Sequence, residues 1–126
     1  MPKILIVEDQ KETKEFAVNF FRRYNIDVLS AESAEEALSL IENHNNIDLV
    51  LLDIKLPGMD GIELLRRIKQ TRPQMRAIMV TAKSPEEDDA LKRCKELGAS
   101  AYIHKPLELD ELKKIILREL NYDYRL

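Results

Sequence analysis

Three acids and a lysine in this chain stand where they could do chemistry together. Glu8 and Asp9 close the apolar run Ile4 to Val7, and Asp53 closes the run Leu49 to Leu52. Thr81 ends a further run, Ala77 to Val80, and Lys105 follows the run Ala101 to His104. Clustered carboxylates repel one another, and burial raises their pKa values because it penalises the charged form. Two arrangements relieve the repulsion: a bound hard cation or a protonated acid. Oxygen-only ligands at an open, wet edge suit Mg²⁺, which keeps several waters and takes few carboxylates. No Cys/His ligand pair supports zinc. Lys105 adds a positive charge, and Thr81 a hydroxyl that can donate to an oxyanion. These are the parts that phosphoryl transfer to a carboxylate requires. Asp53 would be the nucleophile, with Mg²⁺, Lys105 and Thr81 on the phosphoryl oxygens as charge redistributes. Neither G-x-G-x-x-G nor G-x-x-x-x-G-K occurs, which disfavours a nucleotide-binding domain.

Such residues meet only if the apolar runs are parallel strands of one sheet, which places their carboxyl ends on one edge. Leu49 to Leu52 shows no alternation, the habit of a strand buried on both faces. Ile26 to Ala31 reads as one more strand, making five. Between the strands lie helical stripes. Lys11 to Tyr24 carries Phe16, Ala17 and Phe20 on one predicted face. Ser33 and Glu36 form a capping box before Ala37, Leu38, Leu40 and Ile41. His44 breaks that helix. Ile62, Leu65 and Ile68 form a stripe ended by Thr71-Arg72-Pro73. Ser84 reads as an N-cap, with Pro85 as first helical residue and acids in the first turn, before Ala90, Cys94 and Leu97. Gly98 suits a left-handed helix end. Leu109, Leu112, Ile115, Ile116 and Leu120 mark the last helix. The expected fold is α/β: a doubly wound, five-stranded parallel sheet with helices on both faces.

The chain has 126 residues, 44 % apolar and 34 % charged, which fits one domain with one core. The net charge of −3 offers no basic stripe for nucleic acid and no attraction to an anionic membrane. The apolar run after Met1-Pro2-Lys3 is too short for a signal region or a membrane span. A single cysteine, Cys94, forms no internal disulfide, so a cytoplasmic location is the default expectation.

Four pieces in order resemble the receiver domain of two-component response regulators over nearly the full length. They are Ile-Leu-Ile-Val-Glu8-Asp9, Leu-Leu-Asp53-Ile-Lys-Leu-Pro-Gly-Met-Asp-Gly, Val-Thr81-Ala, and Gly98-Ala-Ser-Ala-Tyr102-Ile-His-Lys105-Pro106. The resemblance implies a flavodoxin-like (βα)5 fold with strand order 2-1-3-4-5, one of the common orders of doubly wound sheets. It implies Asp53 as phosphoacceptor, Lys105 as phosphate-contacting lysine, and Thr81 and Tyr102 as a switch pair. It implies Mg²⁺ held by Glu8, Asp9, Asp53 and the Ile54 carbonyl, and a cis Lys105-Pro106 bond. Lys55 and Lys83, two residues beyond Asp53 and Thr81, fall beside the path of the attacking water and are expected to set the phosphate lifetime. The implied partners are a sensor histidine kinase or phosphotransfer protein, in two-component signalling or a phosphorelay, and an output protein that meets helix four, strand five and helix five.

Ser100 and Ala101 replace the paired aspartates that many DNA-binding family members carry before the Tyr102 position. That argues against the ion-paired dimer, so a monomer or a weak phosphorylation-dependent dimer is expected. Residues 1–126 read as one receiver domain without an effector domain, and neither direct nucleic-acid nor membrane binding is expected. Two other functions compete. A Mg²⁺-dependent phosphohydrolase would use Asp53 as nucleophile, but such enzymes commonly place an acid where Lys55 stands. A receiver-like interaction module without phosphorylation would not need the complete residue set. Beyond self-catalysed phosphorylation and dephosphorylation of Asp53, no enzyme activity is expected. Plainer readings hold for the remaining residues: His104 as a partly exposed strand-end histidine, His44 at an exposed helix end, Cys94 in the core, and Asp60 as a turn former. Lys92, Arg93, Lys95, Lys113 and Lys114 read as solvated faces.

Overall fold

The computed structural model describes residues 1–82 and 85–123, with backbone alone for residues 85–87. Lys83 and Ser84, expected as a lifetime residue and an N-cap, lie outside the described residues. Five strands alternate with five helices: β1 (Lys3–Val7), α1 (Lys11–Arg23), β2 (Asp27–Ala31), α2 (Ala34–Asn43), β3 (Leu49–Asp53), α3 (Gly61–Thr71), β4 (Arg76–Thr81), α4 (Pro85–Glu96), β5 (Ala101–His104) and α5 (Leu109–Lys114). The sheet is parallel throughout, in the order β2-β1-β3-β4-β5. Every residue of the central strand β3 is buried.

Alternate side chains of each strand point to opposite layers, as the two-residue period requires. Leu5, Val7, Val50, Leu52, Ala77 and Met79 pack beneath α2, α3 and α4. Ile4, Ile6, Leu49, Leu51, Ile78 and Val80 pack beneath α1 and α5. Each such side chain contributes about 1.5–3 kcal/mol by leaving water. Both faces of the sheet are therefore covered, and its carboxyl edge is left for polar groups.

The local signals act largely as read. Ser33 Oγ accepts the Glu36 N–H at 3.1 Å, although the Glu36 carboxylate turns back to the Glu32 N–H rather than to that of Ser33. Gly98 has φ of +98° after α4. Asp60 does more than turn the chain: it is the N-cap of α3, and its Oδ1 accepts the Glu63 N–H at 2.8 Å. His44 is the half-buried C-cap residue of α2, its Nδ1 lying 2.9 Å from the Leu40 carbonyl oxygen.

Three expectations about helices need correction. Phe16 is exposed, because the buried arc of α1 is centred on Ala17, Phe20 and Phe21. Leu109 is exposed at the first turn of α5. The last helix also changes form: α5 passes into a π-helical turn, Ile115–Glu119, which still buries both Ile115 and Ile116.

Candidate functional site

Strand register determines which residues share the carboxyl edge. Val7 lies level with Leu52, Asp53 with Val80, and Thr81 with His104. The ladder continues one step past the strands: the Ile54 N–H donates to the Val80 carbonyl at 3.0 Å, and the Lys105 N–H to the Thr81 carbonyl at 2.8 Å. Glu8, Asp9, Asp53, Thr81 and Lys105 therefore converge without any loop having to reach across.

Carboxylate oxygens of Glu8, Asp9 and Asp53 lie within 4.8 Å of one another. Glu8 and Asp53 are buried, and Asp9 is exposed. Lys105 Nζ enters this cluster, 2.9 Å from Glu8 Oε1 and 2.9 Å from Asp53 Oδ2. The other Asp53 oxygen, Oδ1, accepts the Lys55 N–H at 3.1 Å. Burial pushes the Glu8 carboxyl up to about 7, and the neighbouring Asp53 carboxylate acts in the same direction against the pull of Lys105. For Lys105, burial disfavours the ammonium, but hydrogen bonds to Asp53 and Glu8 outweigh it and raise its pKa. The side chains thus relieve the repulsion in two ways, through the lysine and through a proton that Glu8 holds up to about 7.

The donor set suits Mg²⁺: three carboxylates at an edge that is open at Asp9, with oxygen the sole ligand atom. The Ile54 carbonyl, the fourth expected ligand, accepts the Gly61 N–H at 2.8 Å and so faces the start of α3. Gly61 is required there. A Cβ on it would lie 2.3 Å from the Asp53 carbonyl oxygen and 2.8 Å from Ile54 Cα, both backbone atoms that cannot swing aside.

Thr81 is fully buried, and its hydroxyl donates to the Ala82 carbonyl at 3.0 Å. Tyr102 is 42 % exposed. A recess of about 260 Å³ opens beside its ring between α4 and β5, lined by Met79, Leu91, Cys94 and Ala99 among others. Cys94 is a buried core thiol, and burial pushes its pKa up to about 11. His104 is half-buried. Lys105-Pro106 is cis. Sequence reasoning passes over Gln10, whose Oε1 lies 2.9 Å from Lys105 Nζ. Its place directly after the acid pair is the available signal.

The family model for the response regulator receiver domain matches residues 4–117. The chain belongs to the response regulator receiver domain family. Among curated relatives, this receiver domain is 37 % identical over 118 residues to sporulation initiation phosphotransferase F of Bacillus subtilis, covering 94 % of this chain and 93 % of that protein. It is also 37 % identical over 117 residues to a cyclic di-GMP phosphodiesterase of Thermotoga maritima, covering 93 % of this chain but only 30 % of that protein. The latter name belongs to a much longer protein. A crystal structure of a CheY-like receiver domain protein from Methanospirillum hungatei JF-1 superposes with a TM-score of 0.87 at 36 % identity, covering 96 % of this chain and 94 % of that one. Among the described residues, no helix is long and apolar enough to cross a membrane.

Proposed function

We propose that this receiver domain is a switch that accepts a phosphoryl group on Asp53 from a histidine kinase or phosphotransfer protein and then alters a partner surface at α4, β5 and α5. The observation that carries the reading is the single ammonium of Lys105 held 2.9 Å from both Glu8 and Asp53 at the sheet edge. One Asp53 oxygen attacks phosphorus and an O–P bond forms, while the P–N bond to the donor's phosphohistidine breaks with its electron pair leaving on the imidazole nitrogen. The Lys105 ammonium and the Thr81 hydroxyl donate to the phosphoryl oxygens. Glu8, Asp9 and Asp53 would hold Mg²⁺, which when bound supplies further charge neutralisation at those oxygens, while the Ile54 carbonyl expected as a fourth ligand is instead engaged by the Gly61 N–H.

Thr81 must exchange its bond to Ala82 for one to the phosphoryl group. That movement frees space, and the Tyr102 ring follows into it, changing the face that a partner meets. Beyond transferring and losing its own phosphoryl group, the domain acts as a switch rather than an enzyme. The test is incubation with acetyl phosphate and Mg²⁺, followed by intact mass measurement and borohydride trapping. One adduct at Asp53 is expected. Label on His104, or label retained in Asp53→Asn, would overturn the assignment.

A further inference from the structure

We propose that Gln10 is a positioning residue for phosphoryl transfer, holding Lys105 over Asp53; this rests on Asp53 being the phosphoacceptor. A lysine ammonium has three N–H donors. Here they find three acceptors at the same distance: Glu8 Oε1, Asp53 Oδ2 and Gln10 Oε1, each 2.9 Å from Nζ. Two of the acceptors are carboxylates, and the third is neutral.

Helix capping supplies an independent sign. Gln10 is the N-cap of α1, yet its side chain makes no cap hydrogen bond. Ser, Thr, Asp and Asn favour that position because a short side chain can reach the first free N–H groups. The longer glutamine side chain goes instead to the end of β5. A residue that breaks the local rule while serving a site is the pattern expected at functional positions. Its backbone is fixed to the same cluster: the Gln10 N–H donates to Glu8 Oε2 at 3.1 Å, and its carbonyl accepts the Lys14 N–H at 3.0 Å.

Neutrality matters at this position. A carboxylate would add a further negative charge to Glu8, Asp9 and Asp53, repelling an anionic donor. An apolar residue would leave one ammonium N–H to turn toward water. The amide completes the lysine's shell without charge. As the Asp53 oxygen bonds to phosphorus, the donor's leaving group departs with the electron pair of its broken bond to phosphorus (P–N in a phosphohistidine, P–O in acetyl phosphate), and Asp53 loses its negative charge. The Lys105 N–H on Asp53 turns to a phosphoryl oxygen. Glu8 and Gln10 hold the ammonium in place during that exchange, so Gln10 acts on the rate of transfer rather than on donor affinity.

The experiment times Asp53 labelling by acetyl phosphate with Mg²⁺ in Gln10→Ser, Gln10→Met and Gln10→Glu, alone and with Lys105→Ala. Gln10→Ser and Gln10→Met should label about tenfold more slowly at saturating donor, the effect of one hydrogen bond to a charged group. Their KM for acetyl phosphate should stay within about twofold of the parent, the sign of an interaction needed in the transition state. Gln10→Glu should raise KM. Gln10→Ser should melt no lower than the parent, because serine is the better cap, and that separates positioning from helix stability. In Lys105→Ala, Gln10→Met should cost nothing further. Parental rates in Gln10→Ser and Gln10→Met would overturn the proposal, as would an equal loss with and without Lys105. A parent that takes no label at Asp53 defeats the phosphoacceptor reading itself, a result distinct from labelling that ignores Gln10.

Discussion

The Lys95 ammonium stands over the Tyr102 ring, 5.3 Å from its centroid, while the His104 ring meets Tyr102 edge-on at 5.6 Å. The outward ring is thus held from α4 and from its own strand. A cation over an aromatic face at an exposed site contributes about 0.5–1 kcal/mol. Lys95→Ala should therefore raise the inward population of Tyr102 about two- to fivefold. Fluorotyrosine NMR, assigned with Tyr102→Phe, reads that population, and an unmoved Tyr102 signal would refute the hold.

Glu8 makes stability depend on pH. Its carboxyl rises from an ordinary 4.5 to about 7 in the fold, through burial first and the neighbouring Asp53 second. A folded-state pKa above the unfolded one means the fold binds more protons. The contribution is complete below about 4.5 and is lost as pH climbs to about 7. Melting temperatures in chelator should fall across that window, and Glu8→Gln should flatten the fall. Mg²⁺ should restore the loss increasingly toward alkaline pH, by about 2.7 kcal/mol at a hundredfold excess over its dissociation constant. Identical curves with chelator and with millimolar Mg²⁺ would argue against a metal pocket.

Gly61→Ala tests the tightness of the turn beneath Asp53. The added methyl meets backbone of Asp53 and Ile54, so the chain must move. A loss of about 3 kcal/mol is expected from overpacking against backbone. Urea unfolding measures it; a change under about 0.5 kcal/mol would mean the turn yields freely.

Lys55 bears on how long a phosphoryl group would last. It is exposed, and its N–H is bound to Asp53. An ammonium has no acceptor with which to orient an attacking water, and its long stem can lie over the phosphoryl group. Lys55→Asn should hydrolyse about tenfold faster, equal to about 1.4 kcal/mol of barrier. Phosphate release timed after donor removal decides the matter. Slower release from Lys55→Asn would mean that the lysine assists hydrolysis.

Much of the site is legible in the sequence because parallel strands deliver their ends to one edge. Glu8, Asp53, Thr81 and Lys105 need only the apolar runs before them to be recognised as neighbours. Gln10 escapes because its contact with Lys105 spans 95 residues and belongs to no local pattern. Phe16 misleads because aromatic character suggests burial, whereas the helical arc through Ala17, Phe20 and Phe21 leaves it outside. Leu64 escapes for the converse reason: it is fully buried beside the stripe of Ile62, Leu65 and Ile68. The π-helical turn after α5 buries the adjacent Ile115 and Ile116, and side-chain spacing does not announce it.

The long separation between Lys105 and its acids has a consequence for synthesis. Asp53 and Lys105 are 52 residues apart, and β5 is the last strand to be made. A growing polypeptide can present its acids well before their counter-charge leaves the ribosome. Until β5 docks against β4, Asp53 lacks the ammonium that lies 2.9 Å from it in the finished fold. On the role proposed for Asp53, competence to receive a phosphoryl group would thus arrive only with the completion of the sheet.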